Sequence, residues 1–270
     1  MRLFILKIVA FVLFLSSYLL ADVYYSRIEP YEMRYIASDV TGIVTYIDED
    51  KIGKILDAAP YIKIDAEIDT QELAFVEQKL SSLRSSLEAS KTILKNLEES
   101  LKRKRENYER VKSLKIKSKV EKDREFYELV NTQNAYLNTQ KEINNFAIQL
   151  ADLTLRKVNL EKSLREKNLR AKSFMLYAID VKVGQFVNKG TPLAKLADIS
   201  KGLLSIYLSA DELQNIEKKI IYIDGKKTAY KLVRVEKIAD SVSISKYKAQ
   251  IIVDAPKIFS KLVKVELRDE

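Results

Sequence analysis

The sequence predicts an α+β fold: a long antiparallel coiled-coil α-hairpin inserted in a split β domain, followed by a small β-barrel. Three observations lead there. Between Pro60 and Gly184 there is no Gly or Pro, a gap of about 120 residues that points to long helices. Inside the gap, apolar residues recur at alternating three- and four-residue steps. On either side, short β-branched and aromatic runs broken by Gly and Pro take over.

The chain opens with an export signature. Arg2 and Lys7 give a basic start, Ile8 to Leu20 an apolar run broken only by Ser16 and Ser17, and Leu19-Leu20-Ala21 a cleavage site before Asp22. At 13 residues the run is shorter than the roughly 20 that cross a bilayer, so residues 1–21 read as a signal peptide, with a short retained anchor as the alternative. No Cys follows it to carry a lipid. Residues 22–37 form an N-terminal strand segment that joins the barrel. Residues 38–69 make the first half of the split domain, built on the β-branched run Val40 to Ile47 and the alternating run Tyr61 to Ile68.

Residues 70–170 are the hairpin. Its first arm carries Leu73, Leu80, Leu87, Leu94, Leu101 and Tyr108, interleaved with Val76, Leu83, Ser90, Leu97, Lys104 and Val111. The second carries Leu129, Thr132, Tyr136, Thr139, Ile143, Phe146, Leu150, Leu153, Lys157, Leu160 and Leu164. Both are coiled-coil seams, and polar members such as Ser90, Lys104 and Lys157 lower pair stability and either set register or face a third surface. Asp69 with Glu72 reads as a capping-box start for the first arm near Thr70, and Ser118 with Glu121 as the cap of the second. One continuous rod that dimerises is the alternative. Each arm is on the order of 65 Å long, more than a globular core needs, so reach itself is the property selected.

Residues 171–200 supply the second half of the split domain: Met175 to Val183, a turn at Gly184, Phe186-Val187, a turn at Gly190, and Leu193 to Leu196. Residues 201–270 read as the β-barrel, with a strand from Leu203, a short helix over Ala210 to Lys218, Ile220 to Ile223, an Asp224-Gly225 hairpin turn, and strands near Tyr230 to Val235 and Lys248 to Val253.

Composition removes whole classes of chemistry. With no Cys, His or Trp there is no disulfide framework, no thiolate nucleophile, no imidazole base and no zinc site of the usual kind. A carboxylate pair such as Asp240 and Asp254 is the residual enzyme reading, and solvated acids in a basic β unit are the simpler one. The net charge of +9 suggests nucleic acid or an anionic membrane surface at first sight. An exported address and a basic stripe along a coiled coil, without aromatic interleaving, speak against nucleic acid.

Two strings carry a family resemblance. Asp39-Val-Thr-Gly-Ile-Val-Thr, and Val181-Lys-Val-Gly-Gln-Phe-Val-Asn-Lys-Gly-Thr-Pro-Leu-Ala-Lys-Leu-Ala-Asp, resemble the two lipoyl-like halves of the periplasmic adaptor, or HlyD-type membrane-fusion, proteins, over residues 36–270. The resemblance implies a lipoyl-like split domain around the hairpin. It also implies a non-enzymatic, cofactor-free adaptor of a tripartite efflux system in the periplasm, bridging an inner-membrane RND pump and a TolC-like outer-membrane channel as a homo-oligomer, a hexamer in the family. Arg110, Leu114 and Ser118 stand where the family's channel-contacting Arg, Leu and Ser lie at the hairpin tip, at a shorter Leu-to-Ser spacing. Metal carriage is not implied, because only Met33 and Met175 remain after residue 21, and Lys189 reads as a turn residue, not a modified lysine. Two other functions stay open: an adaptor for an ABC-driven exporter, and a coiled-coil scaffold of the envelope without transport.

Independently of family, Lys102 to Arg124 holds eleven basic and four acidic residues. A tip of that density is steered toward acidic surfaces in a salt-dependent way, or else is simply solvated.

Overall fold

Two helices dominate the computed structural model, which describes residues 22–214, 216–239 and 245–269; the signal-peptide segment 1–21 lies outside the described residues. Helix α1 (Glu67–Ser113) and helix α2 (Lys119–Lys167) have 47 and 49 residues, about 70 Å each. Every position of the two seams is buried or half-buried. The polar seam residues pair across the arms: Lys104 with Glu128, Lys157 with Glu77 at 2.7 Å, and buried Ser90 with Glu142 at 3.5 Å. Such pairs specify register. They run antiparallel around a turn at residues 114–118, so the continuous-rod alternative does not hold.

The first arm starts earlier than the sequence reading has it, and Asp69 is not its cap. Ala66 occupies the cap position with no side-chain cap bond, while Asp65 Oδ1 accepts from the Glu67 N–H at 3.1 Å. Asp69 turns instead to α2, accepting from Ser163 Oγ at 2.5 Å and pairing with Lys167 at 3.1 Å. Burial opposes its ionisation, but the Ser163 hydroxyl and the Lys167 ammonium outweigh it, and the carboxyl titrates below its usual range.

Strands β1 (Asp22–Arg27), β2 (Glu29–Ala37), β3 (Gly42–Ile47) and β4 (Ile55–Ile64) precede the hairpin. After it come β5 (Asn168–Ile179), β6 (Phe186–Val187), β7 (Pro192–Leu208), β8 (Ile220–Ile223), β9 (Lys226–Lys227), β10 (Leu232–Val235), β11 (Tyr247–Asp254) and β12 (Leu262–Arg268). The strand expected over Tyr61 to Ile68 ends at Ile64, where the chain turns toward α1. The hairpin is inserted between antiparallel neighbours: Lys63 lies opposite Asn168 and Ile62 opposite Leu169 on β4 and β5. That ladder holds the start of α1 beside the end of α2, as two antiparallel arms require.

Eight strands form one sheet in the order β10-β11-β7-β5-β4-β3-β6, with β2 also paired to β7. The 17-residue β7 carries it through two cores. Its first half places Leu193 and Leu196 among Val44, Leu56, Tyr61, Ile62 and Leu176 of the split domain. Its second half places Leu204, Ile206 and Leu208 among Ile28, Ile221, Ile251, Val263 and Leu267. Segment 22–37 divides likewise: β1 pairs with β12, whereas β2 runs from Leu203 back along β7 to Pro192.

The second unit corrects the barrel expectation, since no closed sheet forms among the described residues. A four-stranded sheet, β1-β12-β8-β9, faces the β10-β11-β7 end of the larger sheet across one core. Where a ladder between β1 and β7 would join the two sheets at one edge, buried Ser26 lies between them, its Oγ accepting from the Ser205 N–H at 3.0 Å, and at the other edge β9 and β10 are not paired. At the first edge one side-chain bond thus stands in for a strand pairing. In place of the helix expected over Ala210 to Lys218, the described residues form turns over 210–214 and one 3₁₀ turn at Ile216–Lys218. Asp224 and Gly225 have φ of 49° and 76°, the two positive values a tight β8–β9 hairpin needs.

Candidate functional site

The hairpin tip is built by an abrupt helix stop and a strong helix start. Helix α1 ends at Ser113, whose Oγ donates to the Arg110 carbonyl at 2.8 Å, and Leu114 takes an extended conformation. Four residues later Ser118 makes the capping box the sequence indicates. Its Oγ accepts from the Glu121 N–H at 3.3 Å, and a Glu121 carboxylate oxygen accepts from the Ser118 N–H at 3.0 Å. Below the turn, Tyr108 and Phe126 meet with ring centroids 5.6 Å apart, and Asn107 Nδ2 donates to Glu125 at 2.5 Å. The tip is therefore pre-organised.

Arg110, Leu114 and Ser118 are brought together at this end, each in a different state. Arg110 is exposed and donates to Asn107 Oδ1 at 3.0 Å. Leu114 is 38% exposed. The Ser118 hydroxyl is committed to the cap. Sequence reasoning missed Ile116 and Val120, 89% and 78% exposed and flanking Ser118; the available signal is that neither belongs to a seam. An apolar cluster ringed by ammonium and guanidinium groups can dock on a surface that is itself apolar and acidic.

Glu121 gives the tip a pH dependence. Lys117, 2.9 Å away, and then the N–H and hydroxyl of Ser118 hold its carboxyl down at about 2, against an ordinary 4.5. A depressed folded-state value stabilises fully above about pH 4.5, and the contribution is lost as pH falls toward 2. We expect the start of α2 to fray across that window in amide-exchange measurements, and the titration to vanish in Glu121→Gln. Ser118→Ala is expected to cost the hairpin about 1 kcal/mol at neutral pH, read as lost protection confined to residues 118–122.

Elsewhere, Asp254 is occupied, accepting from the Tyr230 hydroxyl at 2.8 Å, and Asp240 lies outside the described residues. Among the described residues no helix is long and apolar enough to cross a membrane.

A long hairpin whose ends are stitched into a split β domain, with a second β unit carried on a shared strand, is the fold of the membrane fusion, or periplasmic adaptor, proteins. Among solved structures, the chain is similar to MacA from Actinobacillus actinomycetemcomitans, with 18% identity and a TM-score of 0.70 over 93% of this chain and 79% of that one. It also resembles a MacA-MexA chimera bearing the Pseudomonas aeruginosa MexA α-hairpin domain, with 15% identity and a TM-score of 0.58 over 93% and 81% of the two chains. The membrane fusion protein Spr0693 from Streptococcus pneumoniae R6 matches at 10% identity and a TM-score of 0.52, over 92% and 99%. No family model and no curated protein matches the sequence.

Proposed function

We propose that the chain is the periplasmic adaptor subunit of a tripartite efflux system, a non-catalytic coupling between an inner-membrane pump of the RND type and a TolC-like outer-membrane channel. The observation that carries this reading is the hairpin: about 70 Å of pre-registered coiled coil, tied at its base into a β4–β5 ladder and ending in an apolar, basic tip. Arg110, Leu114 and Ser118 contact the channel, Ser118 by holding the turn. By strand direction, Asp22, the end of β10 and the start of β11 lie at the end of the second β unit away from the hairpin. The segment after the signal stretch thus emerges on the pump side. Photoreactive residues at Leu114 and at Ile238, which is 83% exposed at that far end, test the reading in cells. Capture of an outer-membrane channel from the first site and a transporter from the second supports it, and the transporter's class separates RND from ABC-driven export. If both sites return only copies of this chain, the envelope-scaffold reading replaces it.

Self-association in a ring draws support from exposed apolar residues outside the seams. On α1 these include Phe75 and Ile93, 18 residues or five turns apart; on α2 they include Leu137, Ile148, Leu155 and Val158, spaced 11, 7 and 3. By the helical repeat the two stripes lie on opposite sides of the hairpin. The pairs Glu77–Lys157 and Ser90–Glu142 put Phe75 level with Val158, and Ile93 near Leu137. A neighbour set alongside without axial shift therefore meets stripe with stripe, a head-to-tail contact that closes into a ring. With no native Cys, Phe75→Cys with Val158→Cys should give an oxidised ladder of linked copies. Phe75→Cys with Leu137→Cys, at unequal heights, should not; equal ladders would refute the register.

A further inference from the structure

A cleft opens where the hairpin joins the sheet, between the last turn of α2, β2 and the start of β5, with a volume of about 490 Å³. It exists because β5 cannot lie flat. Its pairing with β4 slips between Asp57, Pro60 and Ile62, and Ser173 sits at φ 68°. The floor is apolar: buried Tyr61, Leu193 and Leu196 form it, and Phe174 walls one side.

The rim is cationic and unevenly matched. Arg34 is already held, donating to both carboxylate oxygens of Glu32 at 2.8 and 3.0 Å with its guanidinium 4.2 Å above the Phe174 ring. The two acids on the rim, Asp39 and Glu166, face Lys162 at 3.6 and 3.3 Å, and Asp39 also faces Lys189 at 3.9 Å. Arg165, Arg170 and Lys172 also line the cleft, and among the described residues none has a carboxylate within ion-pair distance. Apolar depth, three uncommitted cations at the mouth and acids neutralised from outside together define an anionic, amphipathic occupant.

We infer that this cleft binds a single-chain amphipathic carboxylate, its chain against Tyr61, Leu193 and Leu196 and its head between Arg165, Arg170 and Lys172. A volume in the lower half of the roughly 300–1,000 Å³ range of small-molecule clefts suits one chain, not two. The inference stands on the cleft alone and does not depend on the adaptor reading.

Calorimetric titration of the exported chain with dodecanoate, below its micellar concentration, tests it. One saturable site is expected, with dodecyl maltoside and dodecyltrimethylammonium binding about tenfold or more weakly. The triple change Arg165→Gln, Arg170→Gln, Lys172→Gln, all at exposed positions, should weaken dodecanoate by a similar factor without moving the melting temperature. Ala171→Phe, which fills the floor, should weaken every chain alike. Vesicles containing phosphatidylglycerol should not retain the protein through these residues. Equal binding of the three surfactants, indifference to the triple change, vesicle retention lost with it, or no saturable binding would each overturn the proposal.

Discussion

Gly202→Val is expected to lower the melting temperature of the β units by roughly 6–12 °C, corresponding to about 3 kcal/mol of overpacking, while leaving the hairpin's helical signal in place. Gly202 sits where β7 passes from one core to the other. It is paired with Pro30 of β2 on one side and Val253 of β11 on the other. A Cβ here would stand 2.6 Å from Ile28 Cγ2 and 2.8 Å from Val253 Cγ2, closer than carbon atoms approach without displacement. With ladders on both edges the backbone cannot retreat. Ile28 and Val253 belong to the same core, so moving either exposes a neighbour. The change should appear in tyrosine fluorescence melts and in exchange at β1, β7 and β11, and Gly202→Ala should show a smaller form of it. An unchanged melt would mean that β2, β7 and β11 do not meet as described.

The hairpin was legible in the sequence because a 3.5-residue repeat leaves each helix one face to bury: the seam from Leu73 to Val111 and the seam from Leu129 to Leu164 coincide with the protected positions. Its start was less so. Over Ile64 to Ile68 the alternation is too short to separate the end of a strand from the first turn of a helix. Asp69 has the chemistry of a cap, and only the position of Ser163 and Lys167 shows where that chemistry is used. The open second unit lay beyond sequence reasoning for a related reason, since closure depends on whether β1 pairs with β7 and β9 with β10, and strand patterning within each run says nothing about either edge. The tip could be read from local signals, a Ser-Glu cap after a lysine-rich turn. The cleft could not, because Arg34, Tyr61, Arg170 and Leu193 meet only through the insertion of the hairpin.

Leu80→Ala should cost about 2–4 kcal/mol and, on the adaptor reading, should reduce docking at a tip more than 30 residues away. Two helices alone cover only one side of each seam residue, so most of the hairpin interior is half-buried. Near the base the packing is complete: Val76, Leu80 and Leu160 are 4%, 3% and 8% exposed, with Leu73, Leu150 and Leu153 around them. Deleting a side chain there removes transfer energy and leaves a gap in the tightly packed segment that fixes the direction in which the arms leave the sheet. The stretch of about 50 Å from Leu80 to the tip turns a tilt of about 5° at that point into a displacement of about 4–5 Å at Leu114, enough to take a docked side chain out of contact. The expected record is normal export and a folded β sheet, amide exchange raised around residues 73–83 and 150–160, and a lower crosslinking yield from Leu114. Leu80→Met, which keeps the volume, should restore the yield. Leu97→Ala, at a half-buried position farther along the arm, should lose less stability and less yield, because the ladder and salt bridges below it still fix the arm's direction. If Leu97→Ala disturbs the tip as strongly as Leu80→Ala, the hairpin bends along its length and the base does not set its aim.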